Sequence, residues 1–63
     1  MFEQAILREQ FQALLHQEQQ AEKLYAALVA KLTDPELRQQ VQQLCRDEQR
    51  HVRLAERLLE IVE

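Results

Sequence analysis

The stretch Leu32-Thr33-Asp34-Pro35-Glu36 is the one interruption of an otherwise helical pattern, and it decides the fold. Pro35 is the only proline, and glycine is absent. Asp34 is suited to cap a following helix, with Pro35 at the first helical position where its missing N–H is harmless. Thr33 with Glu36 offers a capping box as the alternative. Both readings start a helix at residue 35. Proline also biases the residue before it away from helical backbone, so the preceding helix ends near Leu32. The expected organisation is one domain over residues 1–63, with a helix over 2–32, a turn at 33–34 and a helix over 35–62. Each helix is then about 40–46 Å long, at a rise of about 1.5 Å per residue. A turn this short makes the two helices antiparallel neighbours.

Outward from the turn, both arms are rich in Gln, Glu, Ala, Leu and Arg, all good helix formers. A chain of 63 residues falls below the size at which one core usually supplies enough stability, so a staple is expected. The single cysteine, Cys45, excludes an internal disulfide. Metal binding and self-association remain. A net charge of −3 and a pI near 5.3 argue against nucleic acid and anionic membranes as partners. No apolar run approaches the roughly 20 residues that span a bilayer. The start, Met1 to Arg8, lacks the basic and apolar regions of a signal peptide, so the cytoplasm is the expected compartment.

A 4-3-4-3 spacing marks an inward stripe on each arm. In the first helix it runs through Leu7, Phe11, Leu14 and Glu18, then Ala21, Tyr25, Leu28 and Leu32. In the second it runs through Leu37, Val41, Leu44 and Glu48, then His51, Ala55, Leu58 and Val62. Flanking residues widen both faces: Ile6, Leu15, Leu24 and Val29 on the first, Cys45, Val52 and Leu59 on the second. One hairpin covers a narrow seam and leaves these widened faces wet. The expected remedy is a second copy, giving an all-α architecture in which the antiparallel hairpin dimerises into a four-helix bundle.

Glu18, Glu48 and His51 interrupt the stripe. An unpartnered carboxylate in an apolar seam is costly and tends to neutralise. All three lie about 22–26 Å from the turn at the helical rise, and near mid-helix. A two-fold axis at that height brings two sets together, as four glutamates and two histidines. A Glu from each of two helices plus Glu-x-x-His from each of the other two is the ligand set of carboxylate-bridged di-iron and di-manganese bundles. Carboxylates bridge and neutralise two cations, and one imidazole per metal suits Fe, Mn or Zn better than Ca or Mg. The competing explanation is a buried polar network that fixes register. Around this set, Tyr25 lies seven beyond Glu18 and its hydroxyl would seek a carboxylate. Asp47 is placed to orient a histidine of a neighbouring chain, and Glu22 lies at the rim. His16 points off the face, Cys45 reads as a small core residue, and the row Arg46, Arg50, Arg53, Arg57 reads as a solvated, salt-laced face.

These residues resemble the ferritin-like superfamily, in particular its rubrerythrin and encapsulated-ferritin branch. Glu-x-x-Ala-x-x-x-Tyr stands as Glu18, Ala21 and Tyr25, and Asp-Glu-x-x-His as Asp47, Glu48 and His51. The resemblance runs from about Leu7 to Leu59. It implies that Glu18, Glu48 and His51 are iron ligands and that Tyr25 sits close to the metals. It also implies one half-site per chain, completed in a homodimer that holds two Fe ions, with Mn or Zn as alternatives. The activity it implies is oxidation of Fe(II) by dioxygen or peroxide, with Glu18, Glu48, His51 and Tyr25 as the catalytic set. The alternatives are a metal-storage helper without turnover and a structural helical interaction module. The single cysteine departs from the rubrerythrin pattern, since it cannot build a rubredoxin-like iron site.

Overall fold

A computed structural model describes residues 2–63, the side chain of Phe2 excepted; Met1 lies outside the described residues. The chain is two helices, α1 (Phe2–Lys31) and α2 (Pro35–Val62), packed antiparallel into a rod of 51 × 13 × 11 Å. Asp34 is the cap of α2. Its backbone is extended (φ −67°, ψ 120°), and its carboxylate accepts a 2.9 Å hydrogen bond from the Leu37 N–H. Pro35 fills the first helical position. Such a cap is worth about 1 kcal/mol, and it sets where the chain reverses. The capping-box alternative is not the one used.

α1 ends at Lys31, one residue before the expected end at Leu32. The Leu32 N–H still donates to Leu28 O at 3.1 Å and to Val29 O at 3.3 Å, a shared bond of the kind that tightens a last helical turn. At the open end of the rod, Gln4 Nε2 donates to Val62 O at 3.0 Å. That contact clasps the start of α1 to the end of α2 and satisfies a carbonyl that the helix end would otherwise leave unpaired.

Two cylinders touch along one line, so little of either surface is covered. Only Ala55 and Val62 are buried among the described residues. The contact line is built at heptad spacing. It runs through Phe11, Glu18, Tyr25 and Leu32 on α1, and through Val41, Glu48, Ala55 and Val62 on α2. Viewed from one end, α1 and α2 wind in opposite senses, so equal offsets from the seam emerge on the same side of the hairpin.

The two sides differ. Four residues on from the seam lie Leu15, Glu22 and Val29, with Cys45, Val52 and Leu59, and all six are half-buried. Three residues on, Leu14, Ala21 and Leu58 are half-buried as well, while Leu7 and Leu28, with Leu37, Leu44 and His51, are exposed. The sequence pattern gave these residues the same inward role as the true seam. The reason for the difference is geometric. A pair of helices has room for one contact line, and here it is shifted toward the side of Cys45 and Val52. An open apolar side results, and His51 stands in the middle of it.

Candidate metal centre

Glu18 comes from mid-α1, and Glu48 and His51 from consecutive turns of α2. A spacing of three places Glu48 and His51 on adjoining positions of one helix surface. The antiparallel crossing sets Glu18 opposite them. His51 Nδ1 lies 3.4 Å from Glu18 Oε2 and 3.7 Å from Glu48 Oε2. One donor atom from each of the three residues falls within 4.8 Å of the others. The two carboxylates are largely covered, with side-chain exposures of 22% and 18%, while the imidazole is 54% exposed. The site is therefore a pit. Its floor is two carboxylates and its rim is a histidine on the open apolar side.

The electrostatics of the pit call for a positive charge. Glu48 Oε2 is buried and has no hydrogen-bond partner. Among the described residues, no lysine or arginine forms an ion pair with Glu18 or Glu48. The Glu48 carboxyl is held above its ordinary value of 4.5. The largest cause is a carboxyl–carboxylate hydrogen bond to Glu18 that only a protonated Glu48 makes; partial burial and the negative charge of Glu18 add to it, and His51 opposes them. With both carboxylates ionised the buried oxygen is orphaned, and either a proton or a cation supplies what it lacks.

The donors fit a cation. Ligands about 2.0–2.2 Å from a transition metal stand roughly 3.0–3.5 Å apart around it, close to the histidine–carboxylate separations. One nitrogen and two carboxylate groups suit Fe, Mn or Zn and cancel a divalent charge. A cation held by these three protein donors would keep further coordination positions on the side where His51 is exposed.

No family model matches the chain, and no curated protein and no solved structure matches it either. The geometry of these three side chains therefore carries the functional reading.

The remaining sequence candidates fall outside the cluster. Tyr25 is half-buried in the seam, one heptad beyond Glu18. Asp47 does not present a free carboxylate toward a histidine. It accepts from Gln43 Nε2 at 3.1 Å and from the Arg50 guanidinium, and these two hydrogen bonds lower its pKa. Both partners stand at helical spacing, four before and three after, so the signal was present in the sequence. Glu22 is tied to the opposite side of the hairpin, where its backbone carbonyl receives Cys45 Sγ at 3.9 Å. Cys45 is half-buried there, as a small packing residue. His16 is exposed and apart from the site.

A pH dependence follows from Glu48. Its folded-state pKa is raised, so above the unfolded value the folded chain binds more protons than the unfolded one. Stability of the metal-free protein therefore declines as pH rises from about 4.5 through the raised value. Asp47 acts in a separate window: its contribution is lost only as pH falls below 3.8. Urea melts of metal-free protein across pH 4.5–7.5 are expected to show the decline, and Glu48→Gln is expected to flatten it. An equal slope in wild type and variant would show that Glu48 does not set it.

Proposed function

We propose that this hairpin is one half of a ferritin-like di-metal protein, and that two copies complete the site by closing their open apolar sides on each other. The observation that carries this reading is the buried, unpartnered Glu48 oxygen in a pit that opens onto exposed leucines. In the closed dimer, Glu18, Glu48 and His51 of each chain would hold two Fe ions. The four carboxylates cancel the charge of two divalent ions, which makes their close approach favourable. Bound iron would supply one-electron redox chemistry next to the open positions. Glu18 and Glu48 would hold the ions, and His51 would cap each from the rim. Tyr25, a heptad from Glu18, would stand by as a hydroxyl donor to the carboxylates. The substrates are Fe(II) and an oxidant. Two Fe(II) give up two electrons, which with two protons convert dioxygen to hydrogen peroxide, or hydrogen peroxide to two waters.

A storage or carrier role has one observation of its own. All three donors converge within a single chain, so one hairpin can hold Fe, Mn or Zn without turnover. Anaerobic Fe(II) loading, followed by oxygen or peroxide, separates the two readings. The enzyme reading expects about two Fe per dimer and oxidation much faster than that of Fe(II) free in the same buffer. Stoichiometric binding with oxidation at the free-ion rate would leave only the carrier. Failure to bind any of the three metals would remove both.

A further inference from the structure

The arginine row of α2 plays no part in the metal site, and within the described residues only Arg50 of the row is used internally, by Asp47. Arg46, Arg50, Arg53 and Arg57 follow one another at spacings of four, three and four. At 100° per residue all four lie within about 40° of the direction opposite the Glu48 seam position; Arg50, Arg53 and Arg57 stand clear of α1, while Arg46 also lines a groove with Ala26 and Val29 of α1. All four are exposed. The sequence pattern suggested a salt-laced face, yet among the described residues only Arg50 has an ion-pair partner, Asp47. Half of the chain's eight basic residues stand on this row, and with their charges set aside from the total of −3 the rest of the chain nets −7.

Such a row is unfavourable for the helix itself. Like charges at i, i+4, as in Arg46–Arg50 and Arg53–Arg57, repel. Nor does the row serve the helix dipole, because the last turn of α2 contains no basic residue. Apolar side chains accompany it. Leu54 lies with Arg50, Arg53 and Arg57 in a shallow depression. Ile61, seven residues further, is 77% exposed, the highest exposure of any large apolar residue described.

We infer that this back face of α2 is a docking surface for an acidic amphipathic helix of another polypeptide. Guanidinium groups match carboxylates in bidentate geometry. Leu54 and Ile61, one heptad apart, match the apolar seam of a helix laid alongside. An anionic bilayer fits less well, since only two apolar residues project and they are widely spaced. A nucleic acid fits less well still, because the rest of the chain repels a long polyanion. The arginine row points away from the open apolar side, so it stays available whether or not hairpins pair, while Leu54, three residues on from His51, borders that side.

The test uses the full chain with a labelled helical peptide carrying leucine at heptad spacing between rows of glutamate. Its controls are the same peptide with glutamine for glutamate, and phosphatidylserine vesicles. The glutamate peptide is expected to bind at least about tenfold more tightly than the glutamine peptide at low salt, with the difference shrinking as salt rises. The triple variant Arg46→Gln/Arg53→Gln/Arg57→Gln is expected to lose about tenfold in affinity, and Leu54→Ala to lose affinity as well. Circular dichroism and metal content of both variants are expected to match wild type. Equal affinity for the two peptides, unchanged binding by the triple variant, or preference for vesicles over peptide would each overturn the inference. Because none of these readouts depends on Glu18, Glu48 or His51, it stands or falls apart from the metal site.

Discussion

Metal-free protein titrated with anaerobic Fe(II), or with Mn(II) or Zn(II), is expected to shift to a dimer and to gain at least roughly 10 °C in melting temperature. A hairpin in which only Ala55 and Val62 are buried among the described residues has little core of its own, and chains below roughly 70–80 residues seldom hold together without a staple. In the proposed dimer, covering Leu28, Leu37 and Leu44 would supply the missing burial. The same closure, however, would bring four carboxylates into one low-dielectric layer. Without cations that layer would oppose assembly, by repulsion and by desolvation. A cation at each half-site would remove the opposition and add ligand bonds available only to the folded state. Binding at a free concentration a thousandfold above Kd contributes about 4 kcal/mol, and each kcal/mol moves the melting temperature of a small domain by about 4–8 °C. Sedimentation and thermal melts with and without chelator make the check. A dimer that survives exhaustive chelation with an unchanged melting temperature would refute this coupling.

Substitution of the cluster is expected to move two measurements in opposite directions. Glu18→Ala, Glu48→Gln and His51→Ala each remove one of three donors per chain. Each is expected to lower metal affinity by more than about 100-fold, since removing even an outer hydrogen-bond partner of a ligand lowers it by about 10–100-fold. Glu48→Gln should at the same time make the metal-free chain more stable at neutral pH. It keeps the shape of the side chain, removes one of two facing negative charges, and gives the pit an amide donor for Glu18. Isothermal titration and metal-free melts read the two effects separately. A variant with wild-type affinity, or a metal-free Glu48→Gln chain less stable than wild type at pH 7, would contradict the role assigned to Glu48. An ordinary polar network fixing register would instead be destabilised by the change, and would show no response to metal.

Much of this was legible in the residues. Pro35 and Asp34 placed the turn because their backbone preferences act locally, whatever packs around them. The i, i+3 relation of Glu48 to His51, and the nearly equal distances of Glu18 and Glu48 from the turn, placed the three donors at about one height by arithmetic on the helical rise. The fate of Asp47 was legible too, though the reading looked to a histidine of another chain: Gln43 and Arg50, four before and three after it on the same helix, hold its carboxylate. Glu22 and Cys45 likewise resolved onto the side away from His51. In the described residues, no helix is long and apolar enough to cross a membrane, in keeping with the short apolar runs.

Local sequence alone thus determined two helices, one reversal, and a layer of two glutamates and a histidine, because turn chemistry and helical periodicity do not depend on what lies far along the chain. The tertiary structure decided which way that layer faces. The 4-3 repeat offers two flanks of nearly equal hydrophobicity, and only the position of the contact line between α1 and α2 makes one flank the covered side and leaves the other, with His51 on it, in the open. That choice depends on how side chains from both helices fit together across the seam, a relation that neither helix carries by itself.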